Sequence, residues 1–166
     1  PLHVEGRQLV DSAGNKVLLH GLAMTPHPWF NGCMHGSEYC RWNNYDVEGC
    51  LEYFRSFINS ITDTSAGWYT DLLRLHIDPY WTNNRGADTE GEHDISEFNF
   101  DNLVDAVNNV IVPIVEHARE RGMYVIIRPP GVCPERIEVG GEYNEYLMTV
   151  WKYVSQHPDL KNADHV

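Results

Sequence analysis

Apolar residues recur at helical intervals in three stretches of the chain and run unbroken in two others. In DVEGCLEYFRSFINSITD, Leu51, Phe54, Ile58 and Ile61 share one face of a 3.6-residue period, predicting a helix over 47–62 with Asp46 as N-cap. FDNLVDAVNNVIVPIVEHARERG is amphipathic and predicts a second helix, with Asp101 near its start, a kink at Pro113 and Gly122 as C-cap. EYNEYLMTVWKYVSQHPDL predicts a third. DLLRLHID and MYVIIRPP are short and apolar, the pattern of strands covered on both faces by helices. LHVEGRQLVDSAGNKVLLHGLAM carries two apolar runs around the turn cluster Ser12, Ala13, Gly14 and Asn15. It predicts a β-hairpin whose second arm, over 17–22, runs on into a core strand. The closing KNADHV reads as the approach to another strand.

Strands and helices therefore alternate, which makes this an α/β chain with a parallel sheet. Loops that follow the strands of such a sheet emerge together at the carboxyl ends, where functional groups collect. Two long loops stand there: 25–44, rich in Pro, Gly, His and aromatics, and 81–99, polar and rich in turn residues. The polar and aromatic run Arg74, His76, Asp78, Tyr80 and Trp81 at the tip of an apolar strand sits where a site is built. Three strands leave an open edge after KNADHV, so something is expected to complete the sheet.

The 166 residues, 42% of them hydrophobic, suffice for a buried core in a single domain, 1–166. That span divides into a hairpin and first strand (1–22) and the remainder (23–166). Twenty-four acidic against twelve basic side chains set the net charge at −12, which repels phosphate backbones and anionic lipid and excludes nucleic acid and membrane partners. No apolar run approaches the roughly 20 residues of a membrane span, and no leader opens the chain, which reads as a processed or shortened product. Cys33 and Cys40 share a loop and would pair in an oxidising compartment. The spacing of Cys33, His35 and Cys40 fits no structural zinc pattern, and free thiols are the simpler reading. No metal or cofactor is expected.

The segments VEGRQLVDSAGNKVLLHGL, DLLRLHIDPYW, GMYVIIRPPGVCPE and YLMTVWKYVSQHPDLKNADHV, in this order and spacing, resemble the N-terminal half of a glycoside hydrolase family 5 enzyme. The likeness is to bacterial cellulases and endo-β-glucanases and covers nearly the whole chain. It implies the N-terminal half of a (β/α)8 TIM barrel that hydrolyses β-glycosidic bonds in a plant-type polysaccharide with retention. A whole barrel needs roughly 250 residues. In that family the acid/base and nucleophile glutamates end the fourth and seventh strands, which places both beyond Val166. A retaining pair must stand about 5–5.5 Å apart, so this chain alone is expected to be inactive or very weak.

By the same resemblance Arg74 matches the arginine that orients the nucleophile carboxylate and holds it ionised. His76, two residues on and so on the same face, either bonds a sugar hydroxyl or the active-site network, or is a structural histidine satisfied by backbone or Asp78. Trp29, Tyr80 and Trp81 either stack on glucose rings or anchor loops. Arg128 ends the third strand where many relatives carry His, which leaves substrate contact and a structural ion pair both open. Asp88, Glu90, Glu92 and Asp94 lack the order of a calcium loop and read as a solvated acidic loop. Glu135, Glu138 and Glu142 lie on the active side without an arguable catalytic pair.

Three functions follow as expectations: part of a β-glucan hydrolase, a carbohydrate-binding half-barrel without catalysis, or a half-barrel completed by dimerisation. The partners implied are a β-linked polysaccharide or oligosaccharide and either a second copy or a missing C-terminal half. A polymer substrate implies a secreted, periplasmic or cell-surface location, with the signal peptide already removed.

Overall fold

A computed structural model of the protein describes residues 2–30, 45–129 and 133–166. The Cys33–Cys40 pairing and the alternative zinc set with His35 lie outside the described residues. The chain is α/β: a small antiparallel meander followed by a three-stranded parallel sheet with helices.

The meander comprises β1 (His3–Glu5), β2 (Gln8–Val10) and β3 (Lys16–Val17). Asp11 Oδ1 accepts hydrogen bonds from the backbone N–H of Ala13 (2.9 Å) and Asn15 (2.8 Å), which closes the expected turn. The second arm, however, stops at Val17 and does not run on to residue 22. His20 is instead tied to the next sheet, its N–H donating to Asp71 Oδ1 at 2.6 Å and its carbonyl accepting from the Asp71 and Leu72 amides. β4 (Gly21–Met24) then starts that sheet. At Gly21 a Cβ would lie 2.0 Å from the Leu72 carbonyl oxygen, so only glycine lets the two strands approach there.

β5 (Leu72–His76) is central, parallel to β4 on one side and to β6 (Tyr124–Arg128) on the other. The register sets Ala23, Arg74 and Ile126 abreast, all exposed, while Leu73, Leu75 and Val125 on the alternate face are buried. Helices therefore cover one face of the sheet, not both as the apolar run of β5 suggested. Ile126, half exposed at 50%, lies on the uncovered face.

α1 (Val47–Ile61) begins as the periodicity predicts, with Asp46 accepting from the Gly49 amide at 2.9 Å and Cys50, Leu51, Phe54, Ile58 and Ile61 buried. The second helix has Asp101 in its first turn, as expected, and Asn99 as its cap, accepting from the Asp101 and Asn102 amides. It runs as α3 (Phe100–Ala106), a π-helical turn (Val107–Ile111) and α4 (Val112–Glu120). Pro113 has no N–H to donate and its ring crowds the carbonyl four residues back. The wider turn just before it accommodates that conflict without breaking the helix. Gly122 adopts φ +76° at the C-terminal end, as expected of a left-handed cap. The third predicted helix divides into α5 (Glu142–Val154) and α6 (Pro158–Lys161), since Pro158 can open a helix but not continue one. Leu73 and Leu75 pack with Phe54, Ile58, Val107, Ile111 and Val150 in one core. The final residues return to the edge of β6, where the Val125 amide donates to the His165 carbonyl at 2.7 Å. No helix among the described residues is long and apolar enough to cross a membrane.

Candidate functional site

The parallel register that pairs Met24 with Leu75 brings the next residues, Thr25 and His76, side by side at the carboxyl ends of β4 and β5. His76 Nδ1 lies 3.0 Å from Thr25 Oγ1, and that hydroxyl donates to Glu92 Oε1 at 2.9 Å. Two residues further along each strand, His27 Nδ1 lies 2.6 Å from Asp78 Oδ2. Glu92 stands between the two histidines, 3.6 Å from His27 Nε2 and 3.8 Å from His76 Nδ1.

Local backbone structure holds these groups. Asp78 caps α2 (Pro79–Thr82), its Oδ1 accepting from the Tyr80 amide at 3.2 Å, with Pro79 at the first helical position. The Trp81 indole N–H donates to the Pro26 carbonyl and so fastens the segment that carries Thr25 and His27. The loop after α2 folds back through a bridge between Asn83 and Phe98, with Asn83 Nδ2 donating to Thr89 Oγ1 and the Asp94 carbonyl. Thr82, Asn83 and Thr89 are buried, so this polar stretch is a packed structure that presents Glu92 to the strand tips.

Aromatic rings form one wall. Trp29 stacks on His27, centroids 4.5 Å apart and planes 3° from parallel, and meets Tyr80 edge-on at 4.7 Å. Both Trp29 and Tyr80 are partly exposed.

Burial, reinforced by the positive charge of Arg128, holds His76 below the ordinary histidine range, so its ring is neutral at neutral pH. Burial raises the Asp78 carboxyl despite the opposing hydrogen bond from His27. It raises the Tyr80 phenol too, with Asp78 adding to the effect. Beneath the site the buried Cys50 thiol is pushed up to about 12, chiefly by desolvation, which leaves it un-ionised and inert. The ensemble offers a neutral imidazole, a buried carboxyl joined to a second imidazole, a half-buried carboxylate and a flat aromatic wall. It suits a neutral, hydroxyl-rich ligand better than an anion. Among the described residues no group of three or more His, Cys, Asp or Glu is arranged to hold a metal ion.

Of the residues singled out in the sequence, His76, Trp29 and Tyr80 come together here. Arg74 shares the face of His76 but is exposed on the uncovered sheet, abreast of Ala23 and Ile126. Arg128 is in register with His76, and its Nε donates to the Pro129 carbonyl at 3.2 Å. Trp81 is not a ligand platform: at 1% exposure it belongs to the core and is a loop anchor. Asp78 pairs with His27 and not with His76, as a structural reading of His76 supposed. Glu92 is not part of a merely solvated acidic loop, whereas Asp88, Glu90, Glu135, Glu138 and Glu142 are exposed. Asp94 shapes the turn, accepting from the Glu90 amide and from Ser96. Sequence reasoning passed over Thr25 and His27. Their signal was position, just past the end of a strand parallel to β5.

Searches of family models, curated proteins and solved structures return no match to this chain.

Proposed function

We propose that the chain forms the substrate-contacting wall of a retaining β-glycosidase of the endo-β-1,4-glucanase type. The observation that carries this reading is the aromatic wall of Trp29 and Tyr80 set against His27, His76 and Glu92 at the carboxyl ends of parallel strands. Flat rings present apolar faces to the C–H faces of a pyranose, while neutral and charged hydrogen-bonding groups beside them meet its hydroxyls. The parallel β4–β5–β6 sheet, helix-covered on one face, suits the N-terminal half of a (β/α)8 barrel whose interior face is the one carrying Arg74. In this reading the acid/base and nucleophile glutamates belong to sequence outside the chain, and Arg74 awaits the nucleophile. The parent enzyme acts outside the cytoplasm, where polymeric substrate is found.

The test is binding of cellotetraose by the purified chain, together with reducing-sugar release from soluble β-glucan. Binding that Trp29→Ala abolishes, without turnover, is the expected result. Absence of binding at millimolar cellotetraose overturns the reading. Turnover lost in Arg74→Ala moves the catalytic carboxylates into this chain or a dimer of it.

A second reading, a self-associating half-barrel, draws on the uncovered sheet face, where Ile126 is 50% exposed and Ala23 is exposed in the same row. Apolar side chains on an open sheet face favour burial against another surface.

A further inference from the structure

His76 Nε2 is shut off from solvent and has no hydrogen-bond partner, although the same ring is held firmly at Nδ1. A buried acceptor or donor left unpaired forfeits its hydration without compensation, so the atom needs a partner of definite chemistry. Which chemistry follows from proton counting. A threonine hydroxyl has one proton, and an ionised carboxylate can only accept. Thr25 therefore spends its proton on Glu92 Oε1, and its oxygen is left to accept from His76 Nδ1–H. A neutral imidazole carries a single N–H, so Nε2 bears a lone pair.

We infer that Glu92, acting through Thr25, fixes His76 as the Nδ1–H tautomer, so that Nε2 accepts a hydrogen bond from a hydroxyl of the bound ligand. Glu92 is thus a positioning residue, one that reaches the ligand only through two other side chains. A trapped water could supply the same O–H, and the two sources behave differently when the tautomer is changed. The identity of the hydroxyl as a saccharide's rests on the β-glycan reading. The tautomer rests on hydrogen-bond geometry and on the neutral state of the ring, not on that reading.

Long-range 15N–1H spectra of the histidine rings test the first part, and cellotetraose titration the second. The wild-type ring is expected as Nδ1–H. Glu92→Ala frees the Thr25 proton to face Nδ1, which moves the ring proton to Nε2 and weakens cellotetraose binding by about tenfold, the value of one hydrogen bond. Glu92→Gln keeps an oxygen for Thr25 and restores the Nδ1–H signature and most of the affinity. Thr25→Val, which deletes the hydroxyl, gives a second route to the same loss of affinity. A wild-type ring protonated at Nε2, or a tautomer indifferent to Glu92→Ala, overturns the inference. A tautomer that flips while cellotetraose binds as before overturns the ligand role of an accepting Nε2. If the wild-type tautomer is Nδ1–H but no cellotetraose binds, the β-glycan reading fails and takes the ligand role with it, while the positioning by Glu92 stands.

Discussion

His27 and Asp78 are joined by a 2.6 Å hydrogen bond between Nδ1 and Oδ2, the carboxylate fully buried and the imidazole 16% exposed. The bond clamps the segment after β4 to the segment after β5, and the same carboxylate caps α2. Asp78→Ala removes the clamp and the cap together and leaves His27 without its acceptor. A loss of about 3 kcal/mol is expected in urea unfolding, as for breaking a buried pair. Asp78→Asn, which can still cap the helix and accept from His27, should lose about 1 kcal/mol. Equal losses in the two variants would show that the charge, and not the hydrogen bonds, is what the site requires.

Acid should weaken the fold in part through His76. Its folded-state pKa lies below the ordinary 6.5, because burial and Arg128 disfavour the charged ring. The unfolded chain takes up that proton first, so the stability His76 contributes is complete above about pH 6.5 and lost as pH falls through the folded value. Asp78 works in the opposite sense. Raised above 3.8 by burial, it favours the folded state most at low pH and loses that contribution as pH rises through its folded value. Urea midpoints at pH 7 and pH 5 isolate the histidine if wild type is compared with His76→Asn. The wild type should lose more stability across that interval, and parallel losses would rule out the assignment.

Two tryptophans that follow strand tips should respond in opposite ways. Trp81 is buried with its indole N–H bonded to Pro26, so Trp81→Ala should cost about 3–5 kcal/mol in stability. Trp29 is partly exposed and stacked on His27, so Trp29→Ala should leave stability within about 1 kcal/mol and abolish oligosaccharide binding. Thermal melts and titration calorimetry on both variants separate the roles.

The uncovered sheet face predicts association. Light scattering at micromolar concentration should show species larger than a monomer, and Ile126→Asp, which replaces an exposed apolar side chain on that face with a charge, should shift the population to monomer. A wild-type monomer under these conditions would mean that the exposed face is tolerated in isolation.

Much of the secondary structure was legible because its causes are local. Asp46 caps α1 through a contact three residues away, and Gly122 ends α4 through its own backbone torsion. Pro113 announced a disturbance, but whether it becomes a kink or a π-helical turn depends on what the helix packs against. The burial of Trp81 was not legible. It and Trp29 both follow strand tips, and only the folded chain gathers Trp81 into the core, with its indole N–H on the Pro26 carbonyl and its ring beside Tyr45, while Trp29 stays partly exposed.

The sequence by itself determined the long helices, the two apolar strands, their alternation, and the gathering of polar chemistry at the carboxyl ends of the strands, since period, capping and turn chemistry act over a few residues. The end of the hairpin at Val17 and the short helix α2 came only with the fold. Tertiary structure alone decided which polar groups meet. His27 reaches Asp78, and Thr25 and Glu92 reach His76, across stretches of chain whose approach is set by the register of β4 on β5 and by the folded loop after α2. It also decided that Arg74 faces open space while Leu73 and Leu75 are covered. An apolar run specifies burial of a strand, but which of its faces the helices cover depends on where those helices dock.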